Sequence, residues 1–215
     1  MLPLRTESDA EAISGRVRDH LAAGGLIAYP TETVYGLGSA PETGALRALA
    51  ALKGRPPRKP FLLLVSGRAM AEAYGLIFNA AARAMADECW PGPLTLALPG
   101  GEGKLPDGLR GTEGGIAVRH TSHRALARLI ARLGHPVTST SANRPGTPPA
   151  PGADGVEPLF AEAIHDGTLL VLDGGVLGNV PPSTLVNCVA ALPTIIREGA
   201  IPRAELRRRV GRLAP

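Results

Sequence analysis

The sequence predicts an α/β layered fold built on a mixed sheet. Short aliphatic runs alternate with stretches of helical period, which argues for helices packed on a sheet. Near the C-terminal end several strand candidates follow one another with no helix between them, so part of the sheet must be antiparallel and a plain doubly wound fold is excluded. The 215 residues, 44% hydrophobic but only 3% aromatic, suffice for one aliphatic core. No linker-like stretch divides the chain, so residues 1–215 are expected to form a single domain.

Taken in order, Ser8 with Glu11 resembles a capping box opening a helix that ends at Gly24 and Gly25. Strands are expected at 26–30, 61–65, 94–98, 116–119, 136–140, 169–172, 184–187 and 194–197, each bounded by Gly, Pro, Ser or Asp. A helix beginning near Glu42 precedes the second of these. The clearest helix starts at Ser122, places Leu126, Leu129, Ile130 and Leu133 on one apolar stripe, and stops at Gly134. The Pro/Gly-rich stretch RPGTPPAPGADG, residues 144–155, reads equally as a lid or as a connection.

Composition narrows the class. No stretch approaches the roughly 20 apolar residues of a membrane span, and MLPLRTESDAEAIS lacks a basic region followed by an apolar run. A cytoplasmic location with no membrane partner is the expectation. Cys89 and Cys188 form no CxxC pattern, so they are expected to be buried, reduced thiols rather than a disulfide or zinc site. A net charge of +4 is compatible with nucleotide or RNA binding and decides nothing alone.

Three polar clusters at the edges of apolar elements suggest one anion site. Lys53-Gly54-Arg55 opens a run of four cations, with Arg58 and Lys59, stiffened by prolines. A rigid backbone fixes where Lys53 and Arg55 point and lowers the entropy lost on binding a triphosphate. Helix-end cations are otherwise explained by the helix dipole. Arg119 leaves a buried strand and must find an anion or water. The string STSAN, residues 139–143, offers hydroxyls and an amide at another strand end, although alone it reads as a capping turn. PTETVYGLG, residues 30–38, puts Thr31, Glu32, Thr33 and Tyr35 after a strand, where a ligand can approach backbone amides; alone it reads as a polar turn. Ser183, Thr184 and Arg197 add weaker signals, and no GxxxxGK[ST] phosphate loop is present.

In this order the segments resemble the YrdC/TsaC family, the threonylcarbamoyl-AMP synthases of tRNA modification. The resemblance runs from Gly24 to about Ile201 and rests on PTETVYGLG, the KxR pattern at Lys53/Arg55, WPGPLT from Trp90, AVR ending at Arg119, the SxN pattern at Ser141/Asn143, and PST ending at Thr184. It implies a twisted mixed sheet with flanking helices and a large open concave face. It also implies that L-threonine, bicarbonate and ATP, the last with Mg2+, give threonylcarbamoyl-AMP and pyrophosphate. By the family pattern Thr31, Arg119, Ser139 and Ser183 contact threonine, while Lys53, Arg55, Ser141, Asn143 and Arg197 contact ATP. Lys53 and Arg55 are the residues expected to carry catalysis, and no protein-held metal is implied. The chain resembles the short form without an extra C-terminal domain, which implies transient contact with a threonylcarbamoyl transferase complex. Leu64 and Gly115 depart from the family, where a His and a Ser or Thr are common.

His120 and His123 straddle a strand end and a helix cap with no third ligand at metal spacing. Trp90 before Pro91-Gly92-Pro93 reads as a core anchor. The competing function is a module that binds double-stranded RNA or tRNA without synthase activity. Its support is the C-terminal run with Arg203, Arg207, Arg208, Arg209 and Arg212.

Overall fold

A computed structural model of the chain describes residues 1–54, 59–178 and 180–211. Strand β1 (Leu2–Pro3) leads into helix α1 (Glu7–Ala22), β2 (Leu26–Tyr29) and β3 (Gly36–Gly38). Helix α2 (Thr43–Lys53), β4 (Leu62–Val65), α3 (Arg68–Ala73), α4 (Ala80–Cys89) and β5 (Leu94–Leu98) follow. Next come β6 (Ile116–His120), α5 (Arg124–Leu133), β7 (Val137–Ser141), α6 (Ala153–Val156) and α7 (Ala161–His165). The chain closes with β8 (Leu169–Asp173), β9 (Thr184–Asn187), β10 (Thr194–Arg197) and α8 (Arg203–Val210). All ten strands join one mixed sheet in the order β1-β8-β2-β3-β7-β4-β6-β5-β9-β10. The expected antiparallel pairing at the C-terminal end is β9 with β10, while β5 with β9 and β4 with β6 are parallel.

The alternation along each strand builds two cores. On one face Leu63 and Val65 of β4, Val118 of β6 and Leu94, Leu96 and Leu98 of β5 pack with Leu49 of α2, Met85 of α4, Val156 of α6 and Leu206 of α8. On the other face α1, through Ile13, Val17 and Leu21, and α5, through Leu126, Leu129, Ile130 and Leu133, cover Ile27, Tyr29, Leu64 and Val137. The stripe read in α5 is thus its core face; each such aliphatic side chain contributes about 2 kcal/mol. These two helices roof only part of their face. Towards β5, β9 and β10 it stays open, and there Ala117 and Arg119, alternating with the core residues Ile116 and Val118, border a cavity.

Two helix starts are corrected, and two strands appear that the sequence did not predict. The α1 capping box lies two residues earlier, with Thr6 accepting from the Asp9 N–H and the Asp9 carboxylate accepting from the Thr6 N–H. The α5 helix is capped by His123, whose Nδ1 accepts from the Leu126 N–H at 3.2 Å, so Ser122 lies outside it. Strand β3 was not expected, because Gly-Leu-Gly lacks β-branched or aromatic residues. The glycines are required by their neighbours: a Cβ at Gly38 would meet the Thr138 carbonyl oxygen at 2.0 Å, and the Tyr29 ring lies over both Gly36 and Gly38. Strand β1, only two residues long, was also missed. Both cysteines are buried free thiols, as expected. Among the described residues no helix is long and apolar enough to cross a membrane.

Candidate active site

The open half of the sheet holds a cavity of about 270 Å³. Its walls come from segments far apart in sequence: Thr31, Thr33 and Val34 between β2 and β3, Leu62 of β4, Thr95 of β5, Ala117 and Arg119 of β6, Ser139 to Ser141 of β7, Pro182 and Ser183 before β9, and Arg197 ending β10. Lys59 and Pro149 stand at it as well. The structure therefore brings Thr31, Arg119, Ser139, Ser141, Ser183 and Arg197 together around one space. Its described lining carries the cations Lys59, Arg119 and Arg197 and no carboxylate, a composition suited to an anion.

Lys53 and Asn143 do not line this cavity but fix its edge from behind. The Lys53 ammonium, 6% exposed, donates to the Ser141 carbonyl at 2.6 Å, the Asn143 carbonyl at 2.5 Å and the Asn143 side-chain oxygen. Ser141 Oγ donates to that same amide oxygen at 2.6 Å. The KxR lysine and the SxN pair therefore form one cross-link between the C-terminal end of α2 and the end of β7. The ammonium thus reaches both backbone carbonyl and side-chain amide oxygens of that segment. Gly54, at φ 61°, takes the left-handed conformation that ends α2 just after Lys53. Arg55 lies outside the described residues.

Arg119 is almost fully buried, yet its contacts are long: Nη1 to Thr33 Oγ1 at 3.4 Å and Nη2 to Glu32 Oε2 at 3.7 Å. Its Nε has no hydrogen-bond partner, and neither has Glu32 Oε1. A buried guanidinium with unsatisfied donors is primed for a planar anion. Arg197 Nη2 donates to the Ser183 carbonyl at 2.9 Å, and Ser183 Oγ shares a 2.7 Å hydrogen bond with Thr95 Oγ1. Burial and the neighbouring Arg119 charge hold the Arg197 guanidinium below its ordinary value. The two guanidinium groups thus stand close enough for each to feel the other's charge. The Thr31 hydroxyl accepts from the Thr33 and Val34 N–H groups, both at 3.1 Å, and donates to the Val34 carbonyl at 2.7 Å. It shapes the loop that presents Thr33 to Arg119.

Sequence reasoning assigned no ligand contact to Thr33, Thr95 or Lys59, although each lies in a quoted segment; the fold places Thr95 of β5 and the loop residues Thr33 and Lys59 at the cavity. Leu64 is fully buried in the core beneath α1 and α5 and pairs in register with Arg119, so it offers an apolar contact there and no polar group. At Gly115 an added Cβ would meet Val189 at 2.8 Å and Ala97 at 3.2 Å, so Val189 takes the space a larger residue needs. His123 is spent on the α5 cap, and His120 meets Trp90 edge-on at 6.5 Å. Trp90 donates from Nε1 to the Leu94 carbonyl at 2.7 Å and packs on Phe78, the anchoring role expected. The proline stretch is tied down by the Ala150 N–H to the Ala142 carbonyl and by Arg144 stacked over Phe160.

Comparison with known proteins agrees with this geometry. The family model Sua5/YciO/YrdC, described as telomere recombination, matches residues 19–199. The chain is 40% identical over 174 residues to the threonylcarbamoyl-AMP synthase of Chromohalobacter salexigens, covering 79% of this chain and 91% of that protein. It is 44% identical over 131 residues to the enzyme of the same name from Nitrosococcus oceani, covering 60% of this chain and 70% of that protein. Among solved structures it is similar to P. abyssi Sua5 complexed with L-threonine, with 29% identity and a TM-score of 0.84 over 99% of this chain; it spans 61% of that longer chain.

Proposed function

Because this chain belongs to the Sua5/YciO/YrdC family, we propose that it is a threonylcarbamoyl-AMP synthase, a nucleotidyltransferase acting on L-threonine, bicarbonate and ATP. The observation that carries this is the cavity itself, where a buried arginine with free donors, a second arginine and a ring of hydroxyls surround one space. Relatives named as synthases favour this reading over an RNA-binding module.

The chemistry needs no enzyme nucleophile. The threonine amine and bicarbonate give the carbamate and water, and a carbamate oxygen then attacks the α-phosphorus of ATP, expelling pyrophosphate. Both reactants are anionic, so the protein's task is to bring them together and offset their repulsion. Arg119 receives the threonine carboxylate, with Thr31, Ser139 and Ser183 around the amino acid and Leu62 and Ala117 beside its methyl group. Ser141 and Arg197 contact ATP from the cavity lining, Asn143 joins them from its edge, and Lys53 and Arg55 serve its phosphates. Magnesium travels with the triphosphate and shares its charge. On this reading the enzyme works in the cytoplasm and passes its product to a transferase that modifies the adenosine beside the tRNA anticodon.

The test is pyrophosphate release by the purified protein, with threonine and bicarbonate each omitted in turn. Release that requires both supports the synthase reading. Release that requires neither, or no release with threonine, bicarbonate, ATP and magnesium all present, overturns it and makes salt-dependent tRNA titration the next experiment.

A further inference from the structure

Behind Arg119, on the side away from the cavity lining, lies a relay of polar contacts. The Thr121 hydroxyl accepts from the His123 N–H at 3.2 Å, at the start of α5, and donates to Glu32 Oε2. That same oxygen stands 3.7 Å from Arg119 Nη2. Thr121 is fully buried and the Glu32 side chain is 16% exposed, so neither is an ordinary surface group. Glu32 is also the sole carboxylate to reach the guanidinium among the described ion pairs.

We infer that Glu32 and Thr121 are positioning residues that set the plane of Arg119 and thereby fix the affinity for the threonine carboxylate. The inference rests on the reading of Arg119 as the carboxylate's partner. A guanidinium binds carboxylate well only when its fork is aligned, since planar bidentate geometry is what distinguishes Arg from a point charge. Here the fork has only long contacts, and Nε is unpaired. Its orientation therefore depends on what stands against its two Nη nitrogens. Glu32 stands against Nη2 and Thr33 against Nη1, and between them they set the plane of the guanidinium. Thr121 pins Glu32 to the first turn of α5, a helix anchored by its whole apolar face against α1 and the sheet. The ATP contacts around Ser141 and Asn143 are held separately, by Lys53.

The two substrates should consequently separate. Glu32→Gln keeps the shape of the side chain but loses its charge, and is expected to raise the KM for threonine by about tenfold while that for ATP changes less than about twofold. Thr121→Val is expected to raise the threonine KM by a smaller factor, and Thr121→Ser, which keeps the hydroxyl, to restore it. Calorimetric titration of L-threonine into wild type and each variant gives an independent readout. If Glu32→Gln does not fold, the Val/Ser pair at Thr121 decides alone. Wild type that binds threonine, with variants that bind it equally or lose threonine and ATP affinity together, overturns the positioning role and leaves the synthase reading standing. Wild type that neither binds threonine nor releases pyrophosphate overturns both.

Discussion

At the residue scale Lys53 shows how a catalytic expectation acquires a structural side. Its ammonium is held by oxygens of Ser141 and Asn143, so truncation removes a charge and also leaves those acceptors without their donor. Lys53→Ala is therefore expected to cut adenylate formation at least about 100-fold, as the loss of one preorganised electrostatic contact does. It should also lower stability by about 1.5–3 kcal/mol, the value of hydrogen bonds to a charged group. Pyrophosphate release and urea denaturation read the two effects separately; unchanged turnover would remove Lys53 from the chemistry. Arg119→Lys keeps the charge and loses the fork, so threonine affinity should fall while the fold persists, as calorimetric titration with a thermal melt can check. Arg119, Ser139 and Arg197 were legible in the sequence because polar residues at the ends of apolar strands need a reason to be there. Thr95 and the Glu32–Thr121 contact were not, because each depends on a pairing between residues distant in the chain.

At the scale of elements, legibility followed side-chain chemistry. Eight strands announced themselves by aliphatic runs, whereas β3 is a strand because Tyr29 and the Thr138 carbonyl crowd out everything but glycine. Gly38→Ala should force β3 away from its neighbours and destabilise the protein by roughly 3 kcal/mol or more; a melting temperature within a degree or two of wild type would refute that account. The His123 cap has a consequence in pH. Burial pushes the His123 imidazole below its ordinary value, against an opposing pull from Glu32, and burial does the same to His120. The neutral ring is the form that accepts from the Leu126 N–H. The unfolded chain therefore takes up protons first, and stability that is full above about pH 6.5 is lost as the pH falls below it. The melting temperature should drop between pH 8 and pH 5.5. His123→Asn, a neutral residue suited to capping, should make that drop smaller, with His120 supplying the remainder.

At the scale of the molecule the site belongs to one end of the sheet. The two edge strands are β1 and β10, and only β10 contributes to the cavity, through Arg197. Among the described strands that edge pairs with β9 alone, and Thr194 and Ile196 are exposed. An anion spanning Arg197 on β10, Arg119 on β6 and Ser139 on β7 would tie the edge to the centre across three intervening strands. Edge elements with few buried contacts open at low free energy, so they gain most from such a tie. A ligand at about 100 times its dissociation constant adds about 2.7 kcal/mol to the native state. Hydrogen exchange with ATP and threonine present should therefore slow at residues 183–187 and 194–197, while β8, next to the opposite edge, keeps its rate. Equal slowing at both ends would mean that ligand tightens the whole sheet, and no slowing at β10 would mean that Arg197 does not reach the ligand.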